Sequence, residues 1–193
     1  MLSFVDLAKP RNLSENLYYI TFLSMSLEKR KRLYDIIKSD DSWRGKNTGV
    51  YYTNLYAHHT QWTMHKQYPE FKELTIMIDN YICHSVCQIP FSYETKESWG
   101  GIYGKDDYAQ KHSHEPNLWA WCYYPFAPEG SSPLCFHRSM IDHDGKEESV
   151  YPSDNLLVIF PGHLLHSVPK STIDQERVVI AGNVYLPLKP FGD

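Results

Sequence analysis

Long apolar runs are missing from this 193-residue chain. No stretch approaches the roughly 20 consecutive apolar residues that a membrane-spanning helix needs. The first residues, Met1-Leu2-Ser3-Phe4-Val5-Asp6, lack the basic end and apolar core of a secretory leader, so a soluble cytoplasmic protein is expected. Cysteine is sparse: four residues in a chain of this size do not make a disulfide framework. Cys83 and Cys87, four apart on a predicted helix, read as buried free thiols, because a structural zinc site needs four ligands and tighter spacing. Excess positive charge is also absent. At a net charge of −4 the chain does not suit general nucleic-acid binding, which rests on neutralising phosphates. The one basic cluster, Lys29-Arg30-Lys31-Arg32, falls on a predicted helix over 26–38 and reads as a solvated face, with a phosphate or acidic partner as the other reading. No repeat, linker or low-complexity tract marks a second domain.

Aromatic and apolar residues are plentiful, at 15% and 42%, enough for a substantial core in one domain. Residues 1–25 look extended and loop-like, helices are predicted over 26–38 and 67–88, and Trp43 to Thr63 reads as loop or short strands over a sheet. His58, His59 and Trp62 in that stretch are expected at the surface or facing substrate. From Phe91 onward short strands and turns dominate. Leu118 to Tyr124, Leu134 to Arg138, Asn155 to Phe160 and Arg177 to Leu186 are runs of strand length and β propensity. Helices first and strands afterwards fit a mainly β jelly-roll core over about 91–193 with a helical buttress over about 1–90. The acidic turn Asp142 to Glu148 lacks the ordered carboxylate series of an EF-hand. Arg138, His137 and His143 have no paired context.

The chemistry concentrates in His112-Ser113-His114, His166 about fifty residues on, and Arg177 eleven positions further. Side chains two apart on an extended segment point to one side, so His112 and His114 can share a face. His166, from another predicted strand, can close a metal site with them. Neutral imidazole suits iron, zinc, copper and nickel, and a facial ligand set with open positions is the non-haem Fe(II) arrangement. A guanidinium fork such as Arg177 suits the remote carboxylate of a dicarboxylic keto acid. Glu115 has the wrong pleat parity to join His112 and reads as surface charge.

Trp99, Gly104, His112-Ser113-His114-Glu115-Pro116, Tyr123-Tyr124, Phe160-Pro161, His166, Arg177 and Asn183 occur in an order that resembles the Fe(II)/2-oxoglutarate oxygenases, specifically the group related to prolyl hydroxylases. The resemblance covers about residues 95–187, roughly half the chain. It implies a double-stranded β-helix, cupin-like fold, Fe(II) and 2-oxoglutarate as cofactors, dioxygen as co-substrate, and decarboxylation of the keto acid to succinate coupled to hydroxylation of a C–H bond. It also implies Arg177, helped by the Tyr124 phenol, on the distal carboxylate of 2-oxoglutarate.

One departure is that the family commonly has His-x-Asp where this chain has His112-x-His114. Three ligand sets stay open: all of His112, His114 and His166; His112 and His166 alone, as in aspartyl/asparaginyl hydroxylases; or His114 as ligand with His112 in another role. His112 is favoured because it stands at the family's first histidine. A peptide or protein side chain is the first substrate class implied. Two rivals stand beside the oxygenase: a metal-binding cupin acting as isomerase or small-molecule sensor without 2-oxoglutarate, and an inactive interaction module.

Overall fold

The computed structural model describes residues 3–4, 9–13, 16–40, 53–87, 93–137 and 148–185. Arg138, His143 and most of the acidic turn from Asp142 lie outside the described residues, as does Leu186.

The elements run in chain order as β1 (Ser3–Phe4), β2 (Lys9–Leu13), β3 (Asn16–Ser24), α1 (Leu27–Ser39), β4 (Leu55–Tyr56), β5 (His58–His59), α2 (Met64–Gln67), α3 (Pro69–Tyr81), a π-helical turn (Ile82–Cys87), β6 (Glu94–Tyr103), β7 (Tyr108–His112), β8 (Trp119–Phe126), β9 (Leu134–His137), β10 (Glu148–Val150), β11 (Leu156–Pro161), β12 (Leu165–Val168) and β13 (Arg177–Tyr185). The strands form two antiparallel sheets. The major sheet has the order β1-β3-β11-β8-β13-β6-β5, with β2 also on β3, and the minor sheet the order β10-β9-β12-β7-β4. This is the double-stranded β-helix.

Strand alternation sorts the core into two layers. On β8, Trp121 and Tyr123 face the helices, as do Leu157 and Ile159 on β11 and Val178, Ile180 and Val184 on β13; they pack with Leu33, Ile37, Phe71, Leu74 and Ile78. Their pleat neighbours Ala120 and Tyr124, Leu156, Val158 and Phe160, and Val179 face the minor sheet, against Ala109, Leu134, Phe136 and Val168. Both faces of the major sheet are therefore covered. This is why β11 and β13 read as unbroken apolar runs rather than as alternating strands.

α1 starts where the Ser26 hydroxyl accepts the Lys29 amide at 3.3 Å, with Glu28 in the first turn and Lys38 in the last, complementing the helix dipole. It lies close on the sheet because Gly100 has no side chain: a Cβ there would come within 2.3 Å of the Ile37 side chain. Three of the four basic residues of the cluster form ion pairs within the chain at a largely exposed helix face. Lys29 pairs with Glu73 at 2.9 Å, Arg30 with Asp154 at 2.6 Å, and Arg32 with Glu70.

Two expectations change. The extended N-terminal stretch is not a loop: β3 pairs along β11 from Leu156↔Phe22 to Ile159↔Tyr19 and so joins the major sheet. Its partner lies more than a hundred residues away, so no local pattern marks the pairing. The predicted helix over 67–88 is divided into α3 and the π-helical turn. There Cys83 accepts the Tyr93 amide at 3.1 Å, and none of the four cysteines forms a disulfide.

Candidate metal centre and co-substrate pocket

His112 ends β7 and His166 lies on β12, and antiparallel pairing sets them directly opposite one another in register. Their ring centroids are 4.3 Å apart. His114 follows in the turn after β7, held because its amide donates to the Gly162 carbonyl at 2.7 Å while its own carbonyl accepts from the Asn117 amide at 2.9 Å. Glycine is required at 162. A Cβ there would stand 1.9 Å from the Asn117 carbonyl oxygen, too close for any other residue without moving the turn. Among the described residues, His112, His114 and His166 form the metal-competent cluster, with one nitrogen of each lying within 4.8 Å of the others.

The ring nitrogens are oriented for ligation. Nδ1 of His112 donates to the Gln110 carbonyl at 2.6 Å and Nδ1 of His166 to the Leu164 carbonyl at 2.9 Å. A carbonyl only accepts, so both rings carry their proton on Nδ1 and present an Nε2 lone pair, the tautomer that outer-shell bonds impose on metal-bound histidine. Nε2 of His166 lies 3.2 Å from Nε2 of His114. Two imidazoles in adjacent positions on one metal at roughly 2.1 Å stand about 3 Å apart, so the spacing fits a shared ion. Burial lowers the pKa of all three rings; His114 is pushed down to about 3, and His166 lies well below the ordinary value. They are neutral at pH 7, as ligands must be. Glu115 is exposed, as its parity predicts.

Arg177 opens β13 and points between the sheets, only 3% exposed. Its guanidinium lies over the Tyr103 ring at 4.0 Å and near the Tyr124 ring at 5.8 Å. Nη1 donates to the Ser132 carbonyl at 2.8 Å, and the buried Nε–H has no partner. No carboxylate among the described residues pairs with it. The groups around it are held neutral: burial pushes the Tyr103 phenol and the Cys122 thiol each up to about 12, and the Tyr124 phenol above the usual phenol range. Asp107 lies within electrostatic reach of the guanidinium but forms no ion pair with it, and a buried cation with an orphaned donor suits an anionic ligand.

Both groups line one pocket. His112, His114, His166, Arg177, Tyr103 and Tyr124 contribute to it, and the small residues Gly101, Ala109 and Ala181 leave the space between them. Sequence reasoning found every one of these polar groups except Tyr103. Its place follows from the pairing of Arg177 with Tyr103 across β13 and β6, which no local pattern reveals. Trp62 lines the adjoining cleft. His59 is buried instead, and His58 bonds the Ile37 carbonyl at 2.9 Å. His137 faces Ser167 at 2.7 Å, away from the pocket.

Residues 97–183 match the model of the family described as "Putative 2OG-Fe(II) oxygenase". This segment belongs to the 2OG-Fe(II) oxygenases. The matched family is one of Fe(II)- and 2-oxoglutarate-dependent oxygenases, and the match spans a little under half the chain. The three histidines and Arg177 of the oxygenase segment all lie inside the matched residues. No curated protein matches the chain by sequence. Among solved structures, the fold is similar to a Pseudomonas putida prolyl-4-hydroxylase (TM-score 0.63, 14% identity, covering 90% of this chain and 95% of that one). It is also similar to the viral collagen prolyl hydroxylase vCPH of Paramecium Bursaria Chlorella virus-1, solved with 2-oxoglutarate (0.62, 13%, 86% and 94%). A third similar fold is HygX of Streptomyces hygroscopicus, solved with nickel and 2-oxoglutarate (0.66, 9%, 89% and 83%). At these identities the likeness is one of fold. No helix among the described residues is long and apolar enough to cross a membrane.

Proposed function

We propose that His112, His114 and His166 together hold the iron of this oxygenase, that Arg177 holds the distal carboxylate of 2-oxoglutarate, and that the enzyme hydroxylates a peptide or protein side chain. The observation that carries the reading is the single pocket joining three neutral imidazoles to a buried guanidinium that forms no ion pair among the described residues and keeps an unpartnered Nε–H.

Bound iron and 2-oxoglutarate supply dioxygen-dependent oxidation, in which the keto acid loses carbon dioxide to become succinate and one oxygen atom enters a C–H bond. The chain's own residues bind and orient. The Gln110 and Leu164 carbonyls fix the ring tautomers, and the clamp between Gly162 and the 114–118 turn sets where His114 stands. Arg177 supplies the fixed positive end of the pocket, its fork pre-aimed by the Ser132 carbonyl and the Tyr103 ring. Tyr124 reaches the same pocket, where a neutral phenol is able to donate a second hydrogen bond to a bound carboxylate. Phe160, with its ring centroid 4.8 Å from that of His166, packs an apolar wall against the centre. The peptide substrate class is supported by the likeness to two prolyl hydroxylases. A cytoplasmic location is the companion expectation.

Anaerobic titration of the full chain with Fe(II) and then 2-oxoglutarate tests the reading. The expected result is the weak visible charge-transfer band of a chelated keto acid at one equivalent of iron. A folded, iron-loaded protein without that band would overturn it and favour a cupin that works without the keto acid. Failure to take up stoichiometric iron would favour an inactive module.

A further inference from the structure

Beyond the pocket that joins the histidines to Arg177, a second cleft opens on the other side of His112 and His114. It is walled by Trp62 and Trp99, whose rings meet edge to face at 4.6 Å, with Thr53 and Asn54 at its edge. Its polar end is Glu97 and Asn183. The placement follows from the register of β6 and β13. Tyr103, Gly101, Trp99 and Glu97 share one face of β6, opposite Arg177, Val179, Ala181 and Asn183 of β13. Two strands therefore carry a positive group at the deep end of the interior face and a carboxylate at the other, with the histidine cluster bordering both clefts.

Asn183 is only 6% exposed, and its Nδ2 donates to Glu97 Oε2 at 2.8 Å. A carboxylate only accepts, so the amide must turn its nitrogen toward Glu97. Asn183 Oδ1 is then left buried with no partner. Each such orphan costs free energy that a ligand's donor would recover. The cleft thus offers an amide oxygen and a carboxylate as acceptors beside two indole rings, and no lysine or arginine among the described residues lines it. Acceptors of negative charge flanked by tryptophan rings suit a cationic N–H donor and disfavour an anion.

Building on the oxygenase reading above, we infer that the primary substrate carries an ammonium or guanidinium group, seated against the contacting Trp62–Trp99 pair and held by Glu97 and Asn183 Oδ1 beside the histidine cluster. The group belongs either to a lysine or arginine side chain within a peptide or to a small free amine, and one experiment separates the two.

Binding to the full chain is followed by titration calorimetry and by quenching of tryptophan fluorescence, with nickel and 2-oxoglutarate present and again without them. The probes are Nα-acetyl-lysine methylamide, Nα-acetyl-arginine methylamide, short peptides holding one lysine or one arginine, and the Nε-acetylated lysine forms as neutral counterparts. A cationic probe is expected to bind at least about tenfold more tightly than its neutral counterpart, and Glu97→Gln, which keeps size and an acceptor for Asn183, to remove that preference. Peptides binding more tightly than the free amides assign a peptide-borne cation; equal affinities assign a small amine. Equal binding of charged and neutral probes to the unaltered protein would overturn the inference without recourse to any variant. So would an unchanged preference in Glu97→Gln, or no cationic probe binding at millimolar concentration. A protein that prefers the cations yet binds neither nickel nor 2-oxoglutarate would instead overturn the iron-and-keto-acid reading and leave the cation subsite standing.

Discussion

Arg177 and the three histidines do opposite electrostatic work within one pocket. The histidines are kept uncharged by burial, so that His112 and His166 present Nε2 lone pairs, while the guanidinium supplies positive charge. Replacing any one of His112, His114 and His166 by alanine is expected to weaken iron binding by more than the roughly 10–100-fold that loss of an outer-shell partner costs. Anaerobic competition with a chromogenic chelator measures this. Unchanged affinity in His112→Ala would reduce the ligand set to His114 and His166. At this scale the sequence is informative about residue type and poor about company. His112, His114, His166, Arg177 and Tyr124 are readable because imidazoles and a guanidinium in that order carry a chemical meaning. Tyr103 is one of fifteen tyrosines, and only its register opposite Arg177 distinguishes it. Asn183 is visible as a strand residue, but the partner that leaves its oxygen orphaned is not.

Elements hold these residues in place through a few contacts of defined chemistry. Asp79 on α3 accepts both the Thr95 amide at 2.9 Å and the Thr95 hydroxyl at 2.6 Å, tying the helix to the start of the strand that carries Glu97 and Trp99. Burial raises its pKa from 3.8 to about 6. The folded state therefore binds the proton more tightly than the unfolded chain, so stability contributed by this group is full below about pH 4 and is lost as pH rises through about 6. Asp79→Asn keeps an acceptor for the amide and removes the titration. It is expected to raise stability at pH 7 by an amount on the order of 1–3 kcal/mol and to lose that advantage below pH 4, as read from urea unfolding at both pH values. An advantage independent of pH would contradict the assignment. Gly162 offers a second test. Gly162→Ala forces the Asn117 backbone away, so it is expected to cost about 1–3 kcal/mol and to lower iron affinity together with stability. Calorimetric unfolding and the chelator assay report the two effects separately.

The strands of the core are legible in the sequence because burial on both faces of the major sheet demands continuous apolar runs such as Leu156 to Phe160 and Val178 to Ala181. The N-terminal strand β3 is not, since its pairing with β11 is settled by tertiary contact alone. The break of the second helix into a π-helical turn at Ile82 is equally silent, because its residues carry no glycine or proline to mark it.

For the molecule as a whole, the two-layer core brings a buried guanidinium and three imidazoles to one pocket between the sheets. Ligands that bind only the folded state stabilise it by mass action, by about 2.7 kcal/mol at one hundred times Kd. Nickel and 2-oxoglutarate together are expected to raise the unfolding temperature more than the sum of their separate effects, and a chelator to reverse the gain. Strictly additive shifts would place the two ligands in independent sites.

The account rests on one pocket holding both the histidine cluster and Arg177, and the coupling between metal and keto acid measures this most directly. Titration calorimetry of 2-oxoglutarate into the protein with and without nickel, in the unaltered chain and in Arg177→Ala, gives four affinities. The predicted result is tighter binding when metal is present and a loss of at least about tenfold on removing Arg177, as expected for a charge-assisted, bidentate contact. Affinity indifferent to the metal, or unchanged in Arg177→Ala, would contradict it.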